Sequence, residues 1–164
     1  MQVHFTKSRL ATLAKRPGGM WRGQAIAEAA RLVEALREPA MDDIDALIGR
    51  LEIASTDRKS DPLAQMKEVQ GLTDSLITLG GTFGLESLVE ASKRLSDLAY
   101  AFRTRGEVDD KAIAVHVRAI RLFGPKGSTL PDDAAEQVLI QLRKVLQHFG
   151  VDAFEESTAG CEPE

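Results

Sequence analysis

Residues 131–150 read PDDAAEQVLIQLRKVLQHFG, and this stretch decides the fold class. Ala135, Val138, Leu142, Val145 and Phe149 recur at alternating steps of three and four residues, the spacing that lines up one face of an α-helix. Pro131 stands where a helix tolerates a missing N–H. Asp132 and Asp133 fall in the first turn, where carboxylates complement the positive helix end, and Gly150 lies just past the last turn. Start, stripe and stop agree, so the segment reads as one amphipathic helix of a packed all-α domain.

The same grammar extends backwards along the chain. Asp109 or Asp110 caps a helix with Ile113, Val117, Ile120 and Phe123 inward, followed by a loop from Gly124-Pro125 to Pro131. Before it, Leu85, Leu88, Leu95, Leu98, Ala99 and Phe102 define another helix that stops at Gly106. A third stripe, Met66, Val69, Leu72, Leu76 and Leu79, opens with Ser60 as N-cap and Asp61-Pro62 in the first turn. Gly80-Gly81 either interrupts or ends it as a C-cap or sharp turn, or allows a close approach of helices. Upstream, residues 39–54 place Met41, Ile44, Ile48 and Leu51 on an inner face, with Asp42 and Asp43 in the first turn. Pro39 closes the preceding helix, where Ile26, Ala29, Val33 and Leu36 share a face from Trp21 onward. No segment alternates like a strand, and no repeat of 20–50 residues recurs. Short connections favour antiparallel neighbours, so the expected architecture is a single up-and-down helical bundle, four core helices plus one or two more.

The 164 residues, 43% hydrophobic and 28% charged, suffice for one domain with a real core. Three segments are expected: a basic N-terminal tail over 1–20, a bundle over 21–150 and an acidic C-terminal tail over 151–164. The first carries Lys7, Arg9, Lys15 and Arg16 without an acid; the last carries Asp152, Glu155, Glu156, Glu162 and Glu164 without a base. A net charge of −4 argues against a broad basic nucleic-acid face. The single cysteine, Cys161, excludes an internal disulfide and a structural zinc site and suits a reducing compartment. No apolar run is long enough for a secretory leader or a membrane span. The expectation is a cytoplasmic protein with no membrane insertion.

Catalytic signatures are missing. Gly80-Gly81-Thr82-Phe83-Gly84 is glycine-rich, but it has no lysine and follows a helix, not a strand. No two histidines share one helix at ligand spacing, so no metal or cofactor is expected, and the chain is not expected to be an enzyme. Of the three histidines, His4 lies in the tail and His148 in the last turn of the last helix, where a cation or donor suits the free carbonyls. His116 lies inside the apolar stripe, three residues after Ile113 and four before Ile120. It reads first as a core residue. Were it partly exposed, it would be a phosphoacceptor candidate, one ring nitrogen nucleophilic and the other held by a hydrogen bond. Arg118 and Arg121 follow it at spacings that fit a solvated face as well as a phosphate site.

Residues 72–99, LTDSLITLGGTFGLESLVEASKRLSDLA, resemble the central helical hairpin of histidine phosphotransfer (Hpt) domains, through the GGTFG turn and the leucine-rich helix after it. The whole chain also resembles small helical proteins that accompany chemotaxis and two-component genes in alpha-proteobacteria, through WRGQAIAEAA, LGGTFGLESL and AVHVRAIRLF. The Hpt resemblance implies a bundle whose groove between two helices docks receiver domains. It does not supply the acceptor. The family's histidine position falls on Asp74, its lysine on Ile77 and the neighbouring glycine on Thr78. Moving the register onto Gly80 or Gly81 places Leu76 or Ile77 there instead. Asp74 lacks the acidic neighbours that would hold a divalent cation for acyl-phosphate chemistry. The leading expectation is therefore a non-catalytic Hpt-like signalling bundle binding a receiver domain or a histidine kinase in a bacterial two-component or chemotaxis-like pathway. One alternative is a true phosphotransfer protein using His116. Another is a structural adaptor or homodimer module, suggested by the heptad-like last helix.

Overall fold

A computed structural model describes residues 21–57 and 61–151. Expectations for the basic tail with His4, for Ser60, and for the acidic tail with Cys161 lie outside these residues. Among the described residues the chain is all-helical: α1 Arg22–Ala35, α2 Arg37–Thr56, α3 Pro62–Thr82, α4 Glu86–Arg105, α5 Asp110–Phe123 and α6 Asp132–His148. None of the six is long and apolar enough to cross a membrane.

The chain divides into two compact units, residues 1–37 and 38–164, whereas the sequence pattern placed residues 21–150 in one bundle. In the first unit α1 carries the expected amphipathic stripe, yet no residue of it is buried. Ile26, Leu32, Val33 and Leu36 are exposed, and Trp21 at the helix start is 81% exposed.

The second unit is a helical bundle around one apolar core. Ile44, Ile48 and Leu51 of α2, Met66, Val69 and Leu76 of α3, and Leu88, Leu95 and Leu98 of α4 are buried in it, with Ile113, Val117 and Ile120 of α5. Apolar burial of this kind supplies the main drive to fold. From α6 only Leu142 and Leu146 are buried; Val138, Val145 and Phe149 are half-buried and pack against the core. The last helix thus lies at the rim of the bundle, anchored by its C-terminal half. There Phe149 meets Phe102 edge-on, with ring centroids 5.1 Å apart. Arg105 also donates to the Phe149 carbonyl and, at 3.2 Å, to that of Gly150.

Helix ends depart from the sequence pattern in three places. α2 begins at Arg37, so Pro39 sits within its first turn, where no N–H is needed, and Asp42 and Asp43 move into the second turn. The cap of α3 is Asp61, whose carboxylate accepts from the Leu63 amide at 3.3 Å. Gly80-Gly81 does not stop α3, which runs on to Thr82. The stop is Gly84, at φ +74°, with the Leu85 amide closing back on the Gly80 carbonyl at 2.9 Å. Gly80 serves packing instead: a Cβ there would stand 3.0 Å from Val89 Cγ2, so its lack of a side chain lets α4 come close. Asp109, not Asp110, caps α5 by accepting from the Ala112 amide at 2.8 Å.

Candidate functional site

His116 is fully buried, at 0% exposure, on the inward face of α5. Its Nδ1 lies 2.8 Å from the Ala112 carbonyl, an acceptor, so Nδ1 carries the proton and Nε2 presents a lone pair. That Nε2 has no hydrogen-bond partner. The tautomer is the one a phosphoacceptor would use, but an acyl phosphate on another protein has no path to it in this packing. Burial pushes the imidazole below its ordinary value, opposed by the Ala112 hydrogen bond and assisted by the charge of Arg94. His116 is therefore neutral and enclosed, as its place in the apolar stripe suggests.

Arg94, which nothing in the sequence pattern singled out, is 4% exposed. It donates from Nη1 to the Leu139 carbonyl of α6 at 2.6 Å and from Nη2 to Glu90 Oε1 at 2.7 Å. Desolvation lowers its affinity for its proton, with Glu90 acting in the opposite direction. The guanidinium thus clasps α6 to α4. Ser92, two residues before Arg94 on α4, also buries its Oγ without a partner.

Asp74 is exposed on α3, and its Oδ1 accepts from Ser96 of α4 at 3.3 Å. Beside it on the same helix runs an open groove of about 520 Å³ between α2 and α3. Asp43, Ala46, Leu47 and Arg50 line it from α2, and Ser75, Thr78 and Leu79 from α3. Both sets step by three and four residues, so each is one face of its helix. The Ser75 and Thr78 hydroxyls donate back to the Gly71 and Asp74 carbonyls, at 3.0 and 2.9 Å, so their donors are already taken up within α3. The result is a mainly apolar trough with one acid and one base on the α2 side.

No protein-family model matches the chain, and neither a curated protein nor a solved structure does.

The groove residues escaped the sequence reading because Asp43, Arg50, Ser75 and Thr78 are polar residues on outward helix faces. Only the pairing of α2 with α3 makes them neighbours. Arg118 stays exposed, whereas Arg121 is held by Glu52 and Asp45 of α2 and is not free to receive a phosphate. His148 occupies the last turn of α6, its ring edge-on to Phe149 at 5.1 Å. Among the described residues no three His, Cys, Asp or Glu side chains converge as metal ligands.

Proposed function

We propose that this chain is a non-catalytic, Hpt-like signalling bundle that docks a response-regulator receiver domain through the α2–α3 groove. The observation that carries the reading is the groove itself: it runs beside Asp74, at the register where the resemblance would place an acceptor histidine. Small and apolar groups there suit a helix of a partner laid into the trough, and Asp43 and Arg50 give it a polar edge that orients the partner. A docking face outlives its chemistry because fold and site are separable. In this reading the helices of the second unit run up and down, joined by the short connections 83–85 and 106–109, and the protein works in the cytoplasm of a bacterium.

The alternatives draw less support. A phosphotransfer role for His116 needs an accessible imidazole, and this one is enclosed. The adaptor reading leaned on the α6 stripe, whose Leu142 and Leu146 are taken up by the chain's own core.

The test is a binding panel. The purified protein is offered every receiver domain and histidine kinase of its own genome, phosphorylated and not, with binding read by calorimetry and label transfer by autoradiography. At least one receiver binds and no acid-labile label reaches the protein. A panel without binding defeats the reading, and label lost in His116→Ala replaces it with phosphotransfer.

A further inference from the structure

The two units carry opposite charge. Residues 1–37 hold seven Lys and Arg against only Glu28 and Glu34, a formal +5; residues 38–164 hold the other 14 bases against 23 acids, a formal −9. In the positive unit lies α1, an amphipathic helix with no buried residue. Ile26, Val33 and Leu36 share a face with Ala29, flanked by Leu32, and all four large side chains are exposed. Trp21 stands at the helix start, 81% exposed. Both acids of the unit are taken up by arginines one turn away: Arg31 holds Glu28 through two hydrogen bonds, and Arg37 holds Glu34 at 2.7 Å.

We infer that α1 is a membrane-surface anchor that lays its apolar face into the interface of an anionic phospholipid bilayer. Three features point to that occupant. A helix of 14 residues is marginal in water by itself, so its apolar face calls for a cover. A tryptophan at the edge of an apolar helix face is the side chain that favours the headgroup region, with its ring buried and its N–H wet. The excess positive charge of residues 1–37 is complementary to an anionic leaflet. A second copy of α1 is a poorer cover. The unit that carries it has a formal charge of +5, so two copies repel each other, whereas an anionic surface attracts both. The helix is too short to span, so it lies in the plane of the surface. The inference is independent of the groove and of what docks there.

Trp21 is the only tryptophan, so its fluorescence reports this face alone. Full-length protein is mixed with vesicles of phosphatidylcholine, or of phosphatidylcholine with phosphatidylglycerol, and followed by Trp21 emission and co-sedimentation. With the anionic vesicles the emission shifts to the blue and the protein pellets; with phosphatidylcholine alone it does neither, and added salt weakens the binding. Ile26→Glu/Val33→Glu lowers vesicle affinity by at least roughly tenfold. Arg16→Glu/Arg22→Glu does the same through charge. Arg22, Ile26 and Val33 are exposed, and unchanged circular dichroism and melting show that the second unit keeps its fold in both variants. An emission shift that follows protein concentration without lipid would make α1 a dimer helix and overturn the inference. So would a shift with duplex DNA but not with vesicles, or full vesicle binding by Ile26→Glu/Val33→Glu.

Discussion

Arg121 grips Glu52 with two parallel hydrogen bonds, Nε to Oε1 at 2.8 Å and Nη2 to Oε2 at 2.6 Å. The pair joins residues 69 apart in sequence and ties α5 to α2. The remaining amine, Nη1, reaches Asp45 Oδ1 at 2.7 Å, and Lys126 meets the other Asp45 oxygen at 3.1 Å. Paired bonds to a planar guanidinium are stronger and more directional than a single surface ion pair.

Breaking this clasp should cost modestly, because every member is partly wet. Arg121→Gln is expected to lower stability by about 1 kcal/mol, measured by urea denaturation at neutral pH. Its partners give the sign with pH. The hydrogen bond from Arg121 holds Glu52 below the ordinary carboxylate value, and Lys126 first, then Arg121, does so for Asp45. Their contribution is complete above the unfolded carboxylate value and disappears as pH falls below it. The difference between wild type and Arg121→Gln therefore shrinks below about pH 4.

His116 gives the opposite dependence. Burial keeps its folded value below the ordinary 6.5. Between the two values the unfolded chain binds a proton that the folded chain refuses, so stability falls as pH drops below 6.5, by up to about 1.4 kcal/mol per pH unit. His116→Leu removes both the proton and the orphaned Nε2. It should lie within about 1 kcal/mol of wild type at pH 7.5 and exceed it at pH 5 in thermal melts.

The two adjacent glycines of α3 should respond in opposite directions. A Cβ at Gly81 would meet nothing within 4 Å, so Gly81→Ala gains helix propensity and stabilises by about 0.5–1 kcal/mol. At Gly80 the space is filled by Val89, Leu88 and Leu85. Gly80→Val forces α4 away and costs about 2 kcal/mol. Equal effects at the two positions would show that the close approach of α3 and α4 does not hold in solution.

Thr78 lies on the groove and outside the core. Thr78→Arg fills the trough with a long cation while leaving the melting temperature within a degree or two, since exposed helix positions tolerate such changes. Receiver binding should fall at least roughly tenfold, read by calorimetry, the loss expected when a bulky charge is set in a desolvated contact. Arg118→Ala, on an exposed face away from the groove residues, should leave it unchanged.

Much of the bundle was legible in the linear chain. The stripes over α2 to α5 located the buried side chains Ile44, Leu76, Leu98 and Ile120, because a helix with one apolar face has one way to bury it. Glycine at 106 and the acid at 109 marked an end and a start by local chemistry alone. Of the two readings of Gly80-Gly81, the break fails and the close approach of helices holds at Gly80, because a glycine in a helix is explained by what packs on it. Val89 lies nine residues further on, across the turn. The stripe of α1 was legible too, but periodicity shows only that a helix has an apolar side and is silent on what covers it.

What the residues determined by themselves is therefore the local part: all-helical structure, most helix ends, and a histidine set into an apolar stripe. These follow from spacing, capping and propensity, which act within a few turns. The tertiary structure alone decided that Arg94 is buried against α6, that Arg121 belongs to α2 and that Ser75 and Thr78 share a groove with Asp43 and Arg50. It also decided that α1 stands in a unit of its own. Each of these is a relation between residues distant in the chain, and pairing between helices depends on the summed fit of whole faces.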